Sequence, residues 1–117
     1  MFDNTLNLTY NSATVTLTRV SEENFSSTYF GESGDDKLTL KISHTIPARG
    51  QSDESHLVRL DVEHYDVDGI YLRTSSAWTV LKTFNGSQNS TAVQNTTSAL
   101  NGLLDGTFIG RVVARES

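Results

Sequence analysis

Cysteine is absent from this chain of 117 residues, and proline, methionine and tryptophan occur once each. Without thiols there can be neither a disulfide framework nor a zinc–thiolate centre. Cations are also scarce: nine Lys and Arg stand against fourteen Asp and Glu, a formal net charge of −5. That balance excludes a protein that grips nucleic acid through a general basic surface, so any RNA or DNA binding must use a local patch. No apolar run approaches the roughly 20 residues that span a bilayer. Met1-Phe2-Asp3-Asn4-Thr5 lacks the basic and apolar regions of a secretory leader, so the expectation is synthesis and use in the cytoplasm. The length suits one domain with a single core.

Catalytic motifs are missing too. His44, His56 and His64 sit at no metal-ligand spacing, and no serine occupies a Gly-x-Ser-x-Gly elbow. Neither enzyme chemistry nor a metal or cofactor is expected. Asp66-Val67-Asp68-Gly69 opens like a calcium loop, but the twelfth position is Ala77 where a bidentate glutamate is needed, so turn chemistry is the better reading. Asn-x-Ser/Thr triplets at Asn7, Asn24, Asn85, Asn89 and Asn95 are what a chain rich in these residues produces by chance.

What the chain does have is alternation that later gives way to helical spacing. Leu6, Leu8 and Tyr10, then Val15, Leu17 and Arg19, alternate with polar residues around Asn11-Ser12-Ala13, a hairpin pattern over residues 1–20. Phe25 to Phe30 reads as extended, followed by a turn at Gly31 to Asp36. Leu38, Leu40 and Ile42 share one face of the next stretch, and Lys37, Thr39, Lys41, Ser43 and Thr45 share the other. After an exposed loop at Pro47 to Glu54, Val58, Leu60 and Val62 alternate with Arg59, Asp61 and Glu63. A last strand is expected from Ala77-Trp78 to Phe84, which leaves Tyr65 to Ser76 as a loop.

From about Ser87 to Leu104 the spacing becomes three and four, through Val93, Thr96, Thr97, Leu100, Leu103 and Leu104, with Ser87 or Ser90 as candidate N-cap. Asp105-Gly106 breaks this helix, and Phe108, Ile109, Val112 and Val113 form a second, short one. Helices so short are marginal alone, so Val93, Leu100, Leu103, Phe108, Ile109 and Val112 are expected to pack on a sheet and on a partner's sheet. Strands followed by segregated helices make the fold α+β, with an antiparallel sheet over residues 25–84 and the helices over 87–115. The polar sheet face is the candidate binding surface: Lys37, Lys41 and Arg59 suit phosphates, and Thr39 and Ser43 suit base edges. Ile70, Tyr71 and Leu72 are apolar residues that a solvent-exposed loop would not need unless neighbours cover them.

The order of these elements resembles the coat proteins of single-stranded RNA bacteriophages, the leviviruses. It is carried by a Lys/Thr strand, a second strand ending Asp61-Val62-Glu63, a strand opening Ala77-Trp78, a helix ending Ala99-Leu100-Asn101-Gly102-Leu103-Leu104-Asp105-Gly106, and a short last helix. The resemblance implies an N-terminal hairpin, a five-stranded antiparallel sheet and two C-terminal helices that reach across a second subunit. It further implies an obligate homodimer with one ten-stranded sheet, assembled into a T=3 icosahedral shell in the virion. Assembly would take place in the bacterial cytoplasm. The inner face would bind a hairpin of the viral RNA, repressing replicase translation and marking the genome for packaging, through Lys37, Thr39, Lys41, Ser43, Arg59, Asp61 and Glu63. Lys41 and Arg59 stand where the family's adenine pocket has small hydroxyl residues. The inter-dimer loop would comprise Asp66, Asp68, Gly69, Ile70, Tyr71, Leu72 and Arg73. The rival expectation is a non-viral α+β RNA-binding module.

Overall fold

Six strands follow one another in space as they do in sequence, each antiparallel to the next. The computed structural model describes residues 3–45, 53–84 and 90–115. Strands β1 (Thr5–Tyr10), β2 (Ala13–Glu23), β3 (Ser26–Ser33), β4 (Asp36–Thr45), β5 (Asp53–Tyr65) and β6 (Tyr71–Phe84) precede helices α1 (Ser90–Leu103) and α2 (Gly106–Val113). Asn and Gly suit the left-handed geometry of two of the tight turns, while Phe25 takes it, with φ 61°, between β2 and β3. Asn11 and Ser12 both take positive φ between β1 and β2, and Gly34 does so between β3 and β4.

The expected separate hairpin and five-stranded sheet are in fact one sheet of six strands. Residues 21–23 extend β2 beyond the hairpin and pair it with β3, so the hairpin forms the first third of the sheet. The β2–β3 register shifts between Arg19 and Ser21, leaving Val20 as the extra, exposed residue of a bulge. A bulge bends its strand and sharpens the twist, which curls β1 and β2 back over β3 and β4. The curl is locked by two long-range hydrogen bonds. The Tyr10 hydroxyl donates to Asp36 Oδ2 at 2.8 Å, and the Tyr29 hydroxyl donates to the Asp3 carbonyl at 2.8 Å. Gly31 is required beneath it, because a Cβ there would lie 2.6 Å from Leu17 Cδ2 and 2.8 Å from the Thr16 carbonyl oxygen.

Under the curl lies the core of Val15, Leu17, Tyr29, Leu38, Ile42 and Val62, with Leu6, Leu8, Tyr10, Leu40 and Leu60 packed against it. The alternation expected for β4 and β5 holds: Leu38, Leu40 and Ile42 pair with Val62, Leu60 and Val58 on the core side. A chain of polar contacts crosses that side near Asp36. Asp36 Oδ1 meets His64 Nδ1 at 3.1 Å, and His64 Nε2 meets Ser75 Oγ at 2.9 Å, joining β4, β5 and β6 to the Tyr10 of β1.

Several boundaries differ from expectation. The turn expected at Gly31 to Asp36 shrinks to Gly34-Asp35, because pairing with β4 carries β3 on to Ser33 and β4 starts at Asp36. β6 begins at Tyr71, so Tyr71, Leu72 and Arg73 are strand residues, and the loop shrinks to Asp66–Ile70. Arg73 pairs with His64 and Tyr71 with Tyr65, extending the β5–β6 ladder past the polar run where sequence alternation fades. Of the expected loop at Pro47 to Glu54, Asp53 and Glu54 belong to β5, and the remainder lies outside the described residues. Helix α1 is described from Ser90, and the candidate cap Ser87 lies outside the described residues. Asp105, expected only to break a helix, caps α2 by accepting from the Phe108 N–H at 2.8 Å.

The helices leave the sheet largely uncovered. Among the described residues α1 leans chiefly on β6, and α2 has no buried residue. The radius of gyration, 16.5 Å, exceeds the roughly 13 Å of a compact chain of this length.

Candidate nucleic-acid interface and association surfaces

Strand pairing puts all seven expected RNA-binding residues on one face. Lys37 stands opposite Glu63, Thr39 opposite Asp61, and Lys41 opposite Arg59, with Ser43 opposite Leu57. Paired residues in an antiparallel ladder point the same way. The face continues onto β6 through Thr74, Ser76 and Trp78, and onto β3 through Thr28, Phe30 and Glu32. Sequence reading misses the β6 residues. Trp78 is visible as an aromatic, but its face follows only from the register of a strand that starts six residues earlier than the sequence suggests.

Most charges here are held by neighbours. Arg59 Nε lies 3.1 Å from both Asp61 oxygens, and its guanidinium sits over the Trp78 ring, 5.1 Å from the centroid. The Ser76 hydroxyl donates to Asp61, and this bond, together with Arg59, holds the Asp61 carboxyl below the usual carboxylate range. Lys37 Nζ lies 4.7 Å from the centroid of the Tyr65 ring, whose hydroxyl donates to Glu63 at 2.8 Å. That bond to a carboxylate pushes the Tyr65 phenol up. Lys41 is exposed and directly opposite Arg59. Two cations facing each other destabilise an ordinary ladder; a phosphate between them would offset the repulsion. Trp78, 59% exposed, offers a stacking surface beside them.

The expected association residues divide between two surroundings. Val93 and Leu100 line a cavity of about 210 Å³ against Thr79–Lys82 of their own chain. Leu103, Ile109 and Val112 are 46–52% exposed, and Phe108 is half-buried. At the other end, the Asp66–Ile70 turn is closed by Asp66 Oδ1, which accepts from the N–H groups of Asp68 and Ile70 at 2.9 Å each. Gly69 provides the left-handed residue there, with φ +80°. Ile70, Tyr71 and Leu72 are all more than half exposed. Strand β6 bonds to β5 along one edge and, among the described residues, to no strand along the other. Among those residues no three His, Asp or Glu converge as a metal centre, and no helix is long and apolar enough to cross a membrane.

A family model described as "Phage phiCb5, coat protein" matches residues 3–84. No curated protein matches the chain by sequence. Among solved structures, the virus-like particle of Beihai levi-like virus 21 is similar with a TM-score of 0.78 at 16% identity, over 100% of this chain and 98% of that one. An unassembled bacteriophage coat protein dimer, described as an RNA-binding dimer, is similar with a TM-score of 0.60 at 13% identity, over 97% and 95%. The virus-like particle of bacteriophage AVE019 gives 0.57 at 13% identity, over 96% and 94%.

Proposed function

The chain belongs to the family of the phage phiCb5 coat protein, a structural family and not an enzyme family, and on that premise we propose that residues 1–117 form one subunit of a T=3 icosahedral shell. The subunit associates as an obligate homodimer, assembles in the bacterial cytoplasm and encloses single-stranded RNA. The observation that carries this reading is the apolar surface left open on the two helices and on Leu104 between them. Leu100, Leu103, Leu104, Ile109, Val112 and Val113 are 40–75% exposed. Burying what remains contributes about 1 kcal/mol per side chain, and a symmetric dimer does so twice, giving about 12 kcal/mol. Association costs about 4–15 kcal/mol in lost freedom, so the helices roughly offset that cost. Pairing of the open β6 edges adds the surplus. Six strands from each copy make a twelve-stranded sheet, in place of the ten expected from sequence.

Within the shell, the face bearing Lys37, Thr39, Lys41, Ser43, Arg59, Asp61 and Glu63 binds a genomic RNA hairpin, which serves packaging and repression of replicase translation. Support comes from the Lys41–Arg59 juxtaposition, the surrounding hydroxyls and exposed Trp78. Three cations share the face with Glu32, Asp61 and Glu63, so affinity concentrates at Lys41 and Arg59. The Asp66–Ile70 turn and the start of β6 form contacts between dimers.

Electron microscopy of purified protein tests the shell, with uniform particles expected and a soluble monomer overturning it. Particles of Lys41→Ala and Arg59→Ala test the RNA face. RNA content should fall with the fold intact, and removing one phosphate-neutralising cation should lower the salt slope of binding by roughly 0.7–0.9. Unchanged RNA content with an unchanged slope would mean the face is merely solvated.

A further inference from the structure

We propose that His44 and His56 form a two-histidine binding site for a divalent first-row transition ion, independent of the RNA face. Nothing in their sequence spacing links the two histidines, and register makes them neighbours: His44 of β4 stands opposite His56 of β5 on the core side of the sheet. Their Nδ1 atoms are 2.9 Å apart, and the rings meet edge to face with centroids 5.1 Å apart. At that distance the two nitrogens share one proton. Glu54 places a carboxylate oxygen 3.6 Å from His56 Nε2, where it can support a proton on that nitrogen once Nδ1 holds an ion. One histidine donates in the ion-free pair, and moving that proton to its own Nε2 gives both rings an Nδ1 lone pair beside the other.

Metal–imidazole bonds are about 2.0–2.1 Å long. With the nitrogens 2.9 Å apart, an ion at that distance from both subtends about 90°, the angle between neighbouring ligands in tetragonal or octahedral coordination. Separation by a few tenths of an ångström more reaches the tetrahedral angle of zinc. Both histidines are half-buried on paired strands, so little ordering remains to be done on binding. His44 also lines a cavity of about 330 Å³ with Glu22, Glu23 and Ser27, which has room for water ligands and acids that can orient them. Two nitrogen ligands select zinc, copper or nickel over calcium and magnesium, which take oxygen. His64 stands apart from this pair, bonded to Asp36 and Ser75 through its two ring nitrogens. A bound ion would fasten β4 to β5 near the ends that lead into residues 46–52.

The test is calorimetric titration of untagged protein with zinc chloride. One ion per chain is expected. Affinity should fall at least about a hundredfold in His44→Ala or His56→Ala and about tenfold in Glu54→Gln, while His64→Ala binds as the parent does. Absence of saturable binding, or equal binding by both alanine variants, would overturn the site. Should those variants fail to fold, electron paramagnetic resonance of the unaltered protein with one equivalent of Cu²⁺ decides. Coupling to two imidazole nitrogens supports the site, and coupling to one or none refutes it.

Discussion

The first four strands and the last strand with its helices use the same apolar residue types to opposite ends. Leu17 on β2 is fully buried and Leu103 on α1 is 52% exposed, although each sits on a regular apolar face. The difference lies in what the chain itself supplies. A bulge at Val20 and a glycine at Gly31 fold the hairpin over β3 and β4, so that half closes on its own residues. Nothing comparable among the described residues turns α1 and α2 back over β5 and β6. An amphipathic pattern therefore requires a surface without specifying on which molecule.

The contrast is broken most severely by Leu103→Ala with Phe108→Ala. Each truncation costs about 2–5 kcal/mol once its side chain is buried in a dimer, and the expected product is unfolded or insoluble chain. A stable, soluble monomer in sedimentation would show that the C-terminal half needs no partner. Next is Tyr29→Ala, which opens a cavity in the N-terminal half and removes the bond to the Asp3 carbonyl, for about 3–5 kcal/mol. Stability of the parent should rise with protein concentration, whereas the Tyr29→Ala deficit should persist at every concentration in denaturant unfolding.

Asp36 makes the stability of the N-terminal half depend on pH. The Tyr10 hydroxyl, and then His64, hold its carboxyl below the usual range against the opposing effect of burial. A depressed folded value contributes stability that is fully present above the unfolded value of about 3.9 and is lost as pH falls through the folded one. Asp36→Asn should cost about 1–3 kcal/mol at neutral pH and flatten the acid limb of a stability–pH curve. An unchanged acid limb would mean that the hairpin lock does not depend on this charge. The smallest effect on folding belongs to Ile70→Ser, Tyr71→Ser and Leu72→Ser combined. Dimers should melt near the parent temperature, while light scattering reports poor assembly or altered particle size. Particles of unchanged diameter and heat resistance would remove the turn from the shell contacts.

Strands β4 and β5 are readable in the sequence because each has one apolar and one polar face, and the membership of the polar face follows from parity alone. The helices are readable too, since Val93, Leu100 and Leu103 keep helical spacing. The start of β6 is hidden: Arg73-Thr74-Ser75-Ser76 is polar on both faces, so alternation carries no signal there even though hydrogen bonding continues. Trp78's place beside Arg59 is hidden with it. The fusion of hairpin and sheet turns on residues 21–23, which look like a polar linker and are strand only because β3 pairs with them. The meeting of His44 and His56 depends on the β4–β5 register, which neither composition nor the number of residues between the two strands fixes.

The strand order carries a kinetic consequence. Every strand bonds to its neighbour in sequence, so each hairpin can zip as a local event on a timescale of about 1–10 μs. No long crossover has to close first, and low separation between contacting residues speeds folding. On the ribosome, where about 5–20 residues emerge each second, the sheet has time to form before the helices that follow it leave the exit tunnel. In the proposed dimer, the helices that seek a second chain thus appear after the sheet, when there is already a folded surface for another copy's helices to recognise.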